Sequence, residues 1–203
     1  MRISDFVGCI DFPCLDINPE HYIVPEIDLD PDSISMVMIS ESAPENPDDY
    51  YYAAGDPLYQ RNSVQAFNFG GLLDVTFQDL LDKGIYFTTA VKCCKIGYGI
   101  KAGTIKECSL ILEKELGIFS GVKVYMLMGD VAIKSLNYIA KRNKEPRPIP
   151  AGSTYKIRGD KYNFRGSRVF PSYLQVGPSF GIEKSKQRMI GEDITRALDI
   201  LGW

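Results

Sequence analysis

The stretch VKVYMLMGDVAIKSLNYIAKR, residues 122 to 142, decides the fold. Its first seven residues are a short run of β-branched, aromatic and methionine side chains bounded by glycine, the mark of a buried strand. The next thirteen, DVAIKSLNYIAKR, follow it as a helix. Three other segments have the same strand character: ISMVMIS (34 to 40), GIYFTTAV (84 to 91) and SRVF (167 to 170). Helical patterns lie between them. GLLDVTFQDLLDKG sets Leu72, Leu73, Phe77, Leu80 and Leu81 on one face and stops at Gly84, and TIKECSLILEKELG repeats that spacing from Ile105 to Leu116. EKSKQRMIGEDITRALDIL closes the chain.

This alternation predicts a three-layer α/β/α domain with a central four-stranded parallel sheet, its functional site at the carboxyl ends of the strands. The chemistry is then expected in the segments that follow the strands: SESAPENPDDYYY, KCCKIGYGIK, GDVA and PSYLQVGPSFG. KRNKEPRPIPAG (141 to 152) reads as a proline-stiffened surface connector.

A length of 203 residues suits one domain, residues 1 to 203, with an acidic N-terminal segment (1 to 33) packed on it. No run approaches the roughly 18 apolar residues that would span a bilayer. Asp5 and Asp11 interrupt the N-terminus where a signal peptide needs an apolar core, so a cytoplasmic location is expected. The net charge of −3 hides an asymmetry: residues 1 to 60 carry −12, whereas residues 61 to 203 carry +9. The second part offers a basic face for a polyanion, unless the acidic segment covers it. Of the five cysteines, Cys9, Cys14, Cys93, Cys94 and Cys108, none is expected in a disulfide in a reducing compartment. Buried free thiols, zinc or an iron–sulfur cluster remain.

The four loop segments, in this order, resemble the uracil-DNA glycosylase superfamily, closest to its thermophilic iron–sulfur type. In that family the first strand ends in Gly-Glu-Ala-Pro-Gly and the second reads like Tyr-Ile-Thr-Asn-Val-Val-Lys-Cys. The third ends in Leu-Gly before an alanine-containing helix, and the last leads into His-Pro-Ser-Tyr. The counterparts here are ESAPE (41 to 45), YFTTAVKC (86 to 93), LMGDVA (127 to 132) and FPSYL (170 to 174), and the resemblance spans roughly residues 34 to 200.

The resemblance implies a DNA glycosylase-like protein that excises or recognises a deaminated base, with single-stranded or lesion-containing duplex DNA as partner. Such chemistry needs a flipped base in a pocket, a placed water and donors for the departing anionic base. Glu41 or Ser42 falls on the water-positioning acid, depending on whether the loop carries a one-residue bulge. Phe69 is the implied aromatic platform, with Phe67 as competitor, and Tyr50, Tyr51 and Tyr52 are expected to wall the pocket. Thr89 stands at the family's edge-reading asparagine, Ser172 makes a polar contact, and Tyr173 and Leu174 enter the helix as a wedge. Phe170 replaces the family's histidine and has no hydrogen to donate; losing such a donor costs about 2.7–4 kcal/mol of transition-state stabilisation. Cys9, Cys14, Cys93 and Cys108 follow the order of the family's [4Fe-4S] ligands, with Cys94 as a substitute for Cys93. The competing function keeps the fold as a non-catalytic nucleic-acid or nucleotide binding protein.

Overall fold

The computed structural model describes residues 1 to 203 apart from 178 and 179. Its elements, in chain order, begin with β1 (Ile17–Tyr22), β2 (Met36–Ser42), α1 (Leu58–Phe69), α2 (Phe77–Asp82), β3 (Ile85–Val91) and β4 (Cys93–Lys95). They continue with α3 (Ala102–Leu116), β5 (Val124–Met128), α4 (Asp130–Arg142), α5 (Thr154–Ile157), β6 (Tyr162–Phe164), β7 (Ser167–Ser172) and α6 (Lys184–Leu201).

The main sheet has the order β3-β2-β5-β7-β6. Its first four strands are parallel, in the four segments expected, with Val37 opposite Tyr86 and Tyr125, and Met126 opposite Phe170. The four-stranded expectation is corrected at one edge: β6 adds a fifth strand, antiparallel to β7. Three residues, YNF, are too short to register as a strand in the sequence. A separate two-stranded sheet joins β1 to β4.

Period-two alternation divides the sheet between two cores. Val37, Ile39, Tyr86, Tyr125 and Leu127 face α3 and α4, where Ile105, Leu112, Leu136 and Ile139 are buried. Met36, Met38, Phe87, Met126 and Phe170 face α1, α2 and α6 with Phe67, Leu80, Ile190 and Ile194. The N-terminal segment is tied down as well: Ile3 and Val7 are buried in the first core, and the backbones of Arg2 and Asp28 pair in an isolated antiparallel bridge.

The helix expected from residue 71 begins only at Phe77, where Thr76 and Asp79 form a reciprocal capping box that fixes the start. The sequence before it belongs to α1, so Phe67 and Phe69 end a helix and do not precede one. The connector after α4 is partly interior, since Ile149 is fully buried and its carbonyl accepts from Asn137 and Arg147. Among the described residues, no helix is long and apolar enough to cross a membrane.

Candidate active site

A cavity of about 710 Å³ opens where β2 ends. The segment Glu41 to Glu45 forms one wall, β1 and β4 supply Asn18, His21, Cys94 and Lys95, and α1 supplies Tyr59. Leu174 and Val176, just past β7, close the far side. Loops distant in sequence thus converge at the carboxyl edge of the sheet, as a parallel α/β fold arranges them.

Glu41 is half-buried and turned toward the start of α4, where the Val131 backbone N–H faces its carboxyl. Burial pushes this carboxyl above its ordinary range, and Asp130 adds to the rise. The Lys95 ammonium, the Val131 N–H and Lys134 pull the other way. The approach is close because residue 129 is glycine: its φ is +96°, and a Cβ there would stand 2.6 Å from Glu41 Oε1. Gly129→Ala is therefore expected to cost about 1–3 kcal/mol from the positive-φ, extended backbone that glycine alone adopts readily and to drive the Glu41 carboxylate off the α4 terminus. Urea unfolding measures the first effect, and the pH dependence of activity the second.

Ser42 is buried on the same wall, and its carbonyl accepts from the Tyr59 hydroxyl at 3.3 Å. Tyr59 is the aromatic ring that lines the cavity. Phe69 does not reach it, which corrects the expected platform: ten residues further along α1, about 15 Å along the axis, it is 43% exposed and its ring lies 6.3 Å from Phe180. Phe67 is sealed in the core. The tyrosine run also packs inward. Tyr50 and Tyr51 are buried, and the Tyr52 hydroxyl donates to the Phe87 carbonyl at 2.9 Å and accepts from the Phe87 N–H at 3.0 Å.

Thr89 lies in β3 opposite Ser40, fully buried behind the wall, and its hydroxyl has no hydrogen-bond partner among the described residues. Phe170 is inside β7, packed in the second core with the Arg168 guanidinium 4.5 Å from its ring centroid. The Ser172 hydroxyl donates to Asp193 at 2.8 Å, and Asp193 in turn is paired with Arg158 at 2.8 Å. That commitment directs Ser172 toward α6. Leu174 belongs to the cavity, whereas Tyr173 lies in an adjoining hollow with the Lys186 ammonium 5.7 Å from its ring.

Cys93 in β4 and Cys108 in α3 are buried in the first core, and Cys9 and Cys14 pack against that core. Burial, reinforced by the charges of Cys108, Cys9 and Cys14, pushes the Cys93 thiol up to about 12. Burial also raises Cys14 and Cys108, each of which feels Cys9. The Lys92 N–H donates to Cys108 Sγ at 3.5 Å. Among the described residues, no three Cys, His, Asp or Glu side chains stand close enough to chelate one metal ion. Thiolates are the donors that an iron–sulfur cluster takes. Cys94 is oriented differently: it lies on the cavity wall with Sγ 3.6 Å from His21 Nδ1.

His21 and Tyr59 are the site residues that sequence reasoning passes over. His21 sits in an acidic, polar segment with no strand signal, and only the pairing of its neighbours Asn18 and Tyr22 with β4 brings it to the cavity.

No family model matches the chain. Over 99 residues, 49% of its length, it is 27% identical to a protein described as a type-5 uracil-DNA glycosylase from Thermus thermophilus, and it spans 45% of that relative. A solved structure described as wild-type UNG from Nitratifractor salsuginis superposes with a TM-score of 0.42 and 14% identity, covering 82% of this chain and 75% of the other.

Proposed function

We propose that this chain, a relative of the uracil-DNA glycosylases, takes a deaminated base such as uracil out of DNA and cleaves its bond to the sugar. The observation that carries this reading is the Glu41 carboxyl: half-buried, on the wall of a cavity large enough for a nucleoside, at the carboxyl end of β2, an inner strand of the sheet. In the reaction the bond between C1′ and the base nitrogen breaks with its electron pair leaving on the base, and the oxygen of a water bonds to C1′. Glu41, ionised, orients that water and accepts its proton. Tyr59 presents its ring to the base, and Leu174 bounds the far side of the cavity. The test is release of uracil from a single-stranded oligonucleotide, with Glu41→Gln as the decisive variant.

A second reading, binding without cleavage, draws on Phe170. With an apolar ring in the interior of β7, that position contributes no donor to a departing anion. Tight, salt-sensitive binding of lesion-containing DNA with no base release would favour this reading.

For the cofactor, Cys9, Cys14, Cys93 and Cys108 would hold a [4Fe-4S] cluster. Bound there, it would tie the N-terminal segment to β4 and α3. Anaerobically purified protein is expected to be brown with about four irons per chain. Cys108→Ser should lose most of the colour and Cys94→Ser should keep it. Colourless, iron-free protein would discard the cluster.

A further inference from the structure

We infer that His21 is the group that hydrogen-bonds the base as it departs, supplied from β1 and not from the segment after β7; this deepens the glycosylase reading above and rests on it. His21 is the chain's single histidine. It is about 150 residues from the FPSYL segment in sequence, yet it lines the same cavity as Glu41 and Leu174.

A break in strand register puts it there. Asn18 of β1 pairs with Cys94, and Tyr22 pairs with Cys93, so Pro19, Glu20 and His21 have no counterpart on β4. The extra residues must bulge from the ladder, and such bulges re-aim side chains beside functional sites. Within the bulge the Glu20 N–H donates to Asn18 Oδ1 at 3.1 Å, which fixes its turn. The His21 ring is then held at one end, with Nδ1 3.6 Å from Cys94 Sγ. That contact occupies Nδ1 and leaves Nε2 as the ring nitrogen open to a ligand; in the tautomer with hydrogen on Nε2, Nδ1 is the acceptor of the contact. Nε2 has no partner among the described residues, so its N–H is left for a ligand in the cavity.

Other groups on the wall are less suited. The ionised carboxylates of Glu41 and Glu45 accept hydrogen bonds and repel a leaving anion. The Tyr59 hydroxyl proton points to the Ser42 carbonyl, and the Lys95 ammonium is turned to the Tyr98 carbonyl at 3.3 Å. As the glycosidic bond breaks, charge develops on the base oxygens. A fixed imidazole N–H stabilises that charge without giving up its proton, while the proton of the attacking water goes to Glu41.

Two measurements on the intact protein test the assignment: single-turnover release of uracil from a single-stranded oligonucleotide, and calorimetric binding of free uracil. His21→Ala is expected to slow release about 100- to 1,000-fold, with a much smaller change in KM, and to weaken uracil binding about tenfold, as the loss of one hydrogen bond would. His21→Gln keeps an N–H donor and should recover part of both. Thermal melting of both variants reads any loosening of the bulge, and the glutamine variant carries the test if the alanine variant does not fold. Release at the wild-type rate in His21→Ala overturns the assignment and leaves the glycosylase reading intact. If the wild type releases no base but binds uracil in a His21-dependent way, the contact stands and the cleavage reading falls. Neither release nor binding by the wild type overturns both.

Discussion

Glu41→Gln is expected to slow base release by about 100- to 10,000-fold, the range for removing a positioned general base, while lesion-containing DNA still binds. The amide keeps the shape and the hydrogen-bonding length of the carboxyl, so the cavity wall survives; it cannot take a proton from water. The pH profile gives an independent reading. Burial holds the Glu41 carboxyl above its ordinary range, with Lys95 and the Val131 N–H opposing. The working form is ionised, so the rate should climb with pH along a limb displaced upward from a free carboxylate, and Glu41→Gln should lack that limb. Stability follows the same linkage with a definite sign. The folded state binds this proton more tightly than the unfolded chain does, so the stabilisation is fully present below the unfolded pKa. It is lost as pH rises through the raised one. At neutral pH the glutamine variant should therefore melt higher than the wild type, and the difference should close in acid. Undiminished release by Glu41→Gln would shift the water-placing role to Ser42, the neighbour that shares the wall.

The largest loss of stability is expected at Lys92. Lys92 and Glu115 form an ion pair in which both side chains are 0% exposed. The Lys92 ammonium also donates to Thr88 Oγ1 at 2.6 Å and to the Thr89 carbonyl at 2.8 Å. Glu115 Oε1 accepts from the Tyr86 and Thr88 hydroxyls at 2.7 and 2.8 Å. Every charge is matched, so removing one partner leaves the other uncompensated in a medium that solvates it poorly. Lys92→Met should cost about 3–5 kcal/mol, roughly 6–20 °C in melting temperature for a chain of this size. Adding Glu115→Gln removes the stranded charge but keeps an acceptor for Tyr86, and should recover a large part. A single variant within 1 kcal/mol of the wild type by denaturant unfolding would contradict this account. The pair also bears on the site, because Lys92 is the residue between the end of β3 and Cys93. Fixing it sets the phase of the next two residues, which send Cys93 toward the cysteine group and Cys94 to the cavity wall.

The parts of the fold that could be read in the sequence are those whose burial is nearly complete. β3 and β5 are buried throughout, and β2 and β7 but for Glu41 and Arg168, so they appear as short, largely apolar runs, and their limits fall within a few residues of the segments read. α1 escaped because LYQRNSVQAFNF buries only Tyr59, Ser63, Ala66 and Phe67, and Pro57 at its start provides no side-chain cap. β1 escaped because INPEHY fully buries only Ile17 and contains proline, which central strands exclude. Those two omissions account for the errors at the site. Without α1, Phe69 looked like the residue before a helix and Tyr59 had no address. Without the pairing of β1 and β4, nothing connected His21 to Glu41. The wall that follows β2 was legible, since position after a strand is local information; the wall supplied by long-range pairing was not.

The Tyr52 hydroxyl, which engages both backbone groups of Phe87, has a consequence away from the cavity. β3 is an outermost strand of the main sheet, and its free side would otherwise offer unpaired amide and carbonyl groups to any extended segment that approached. The phenol occupies the N–H and the C=O at the middle of that strand and sets a bulky ring against them. At the opposite border the exposed strand is three residues long, too short to template much growth. A tyrosine that reads as part of a binding pocket thus serves as a guard against aggregation, interrupting the ladder through which copies of this protein could stack strand to strand.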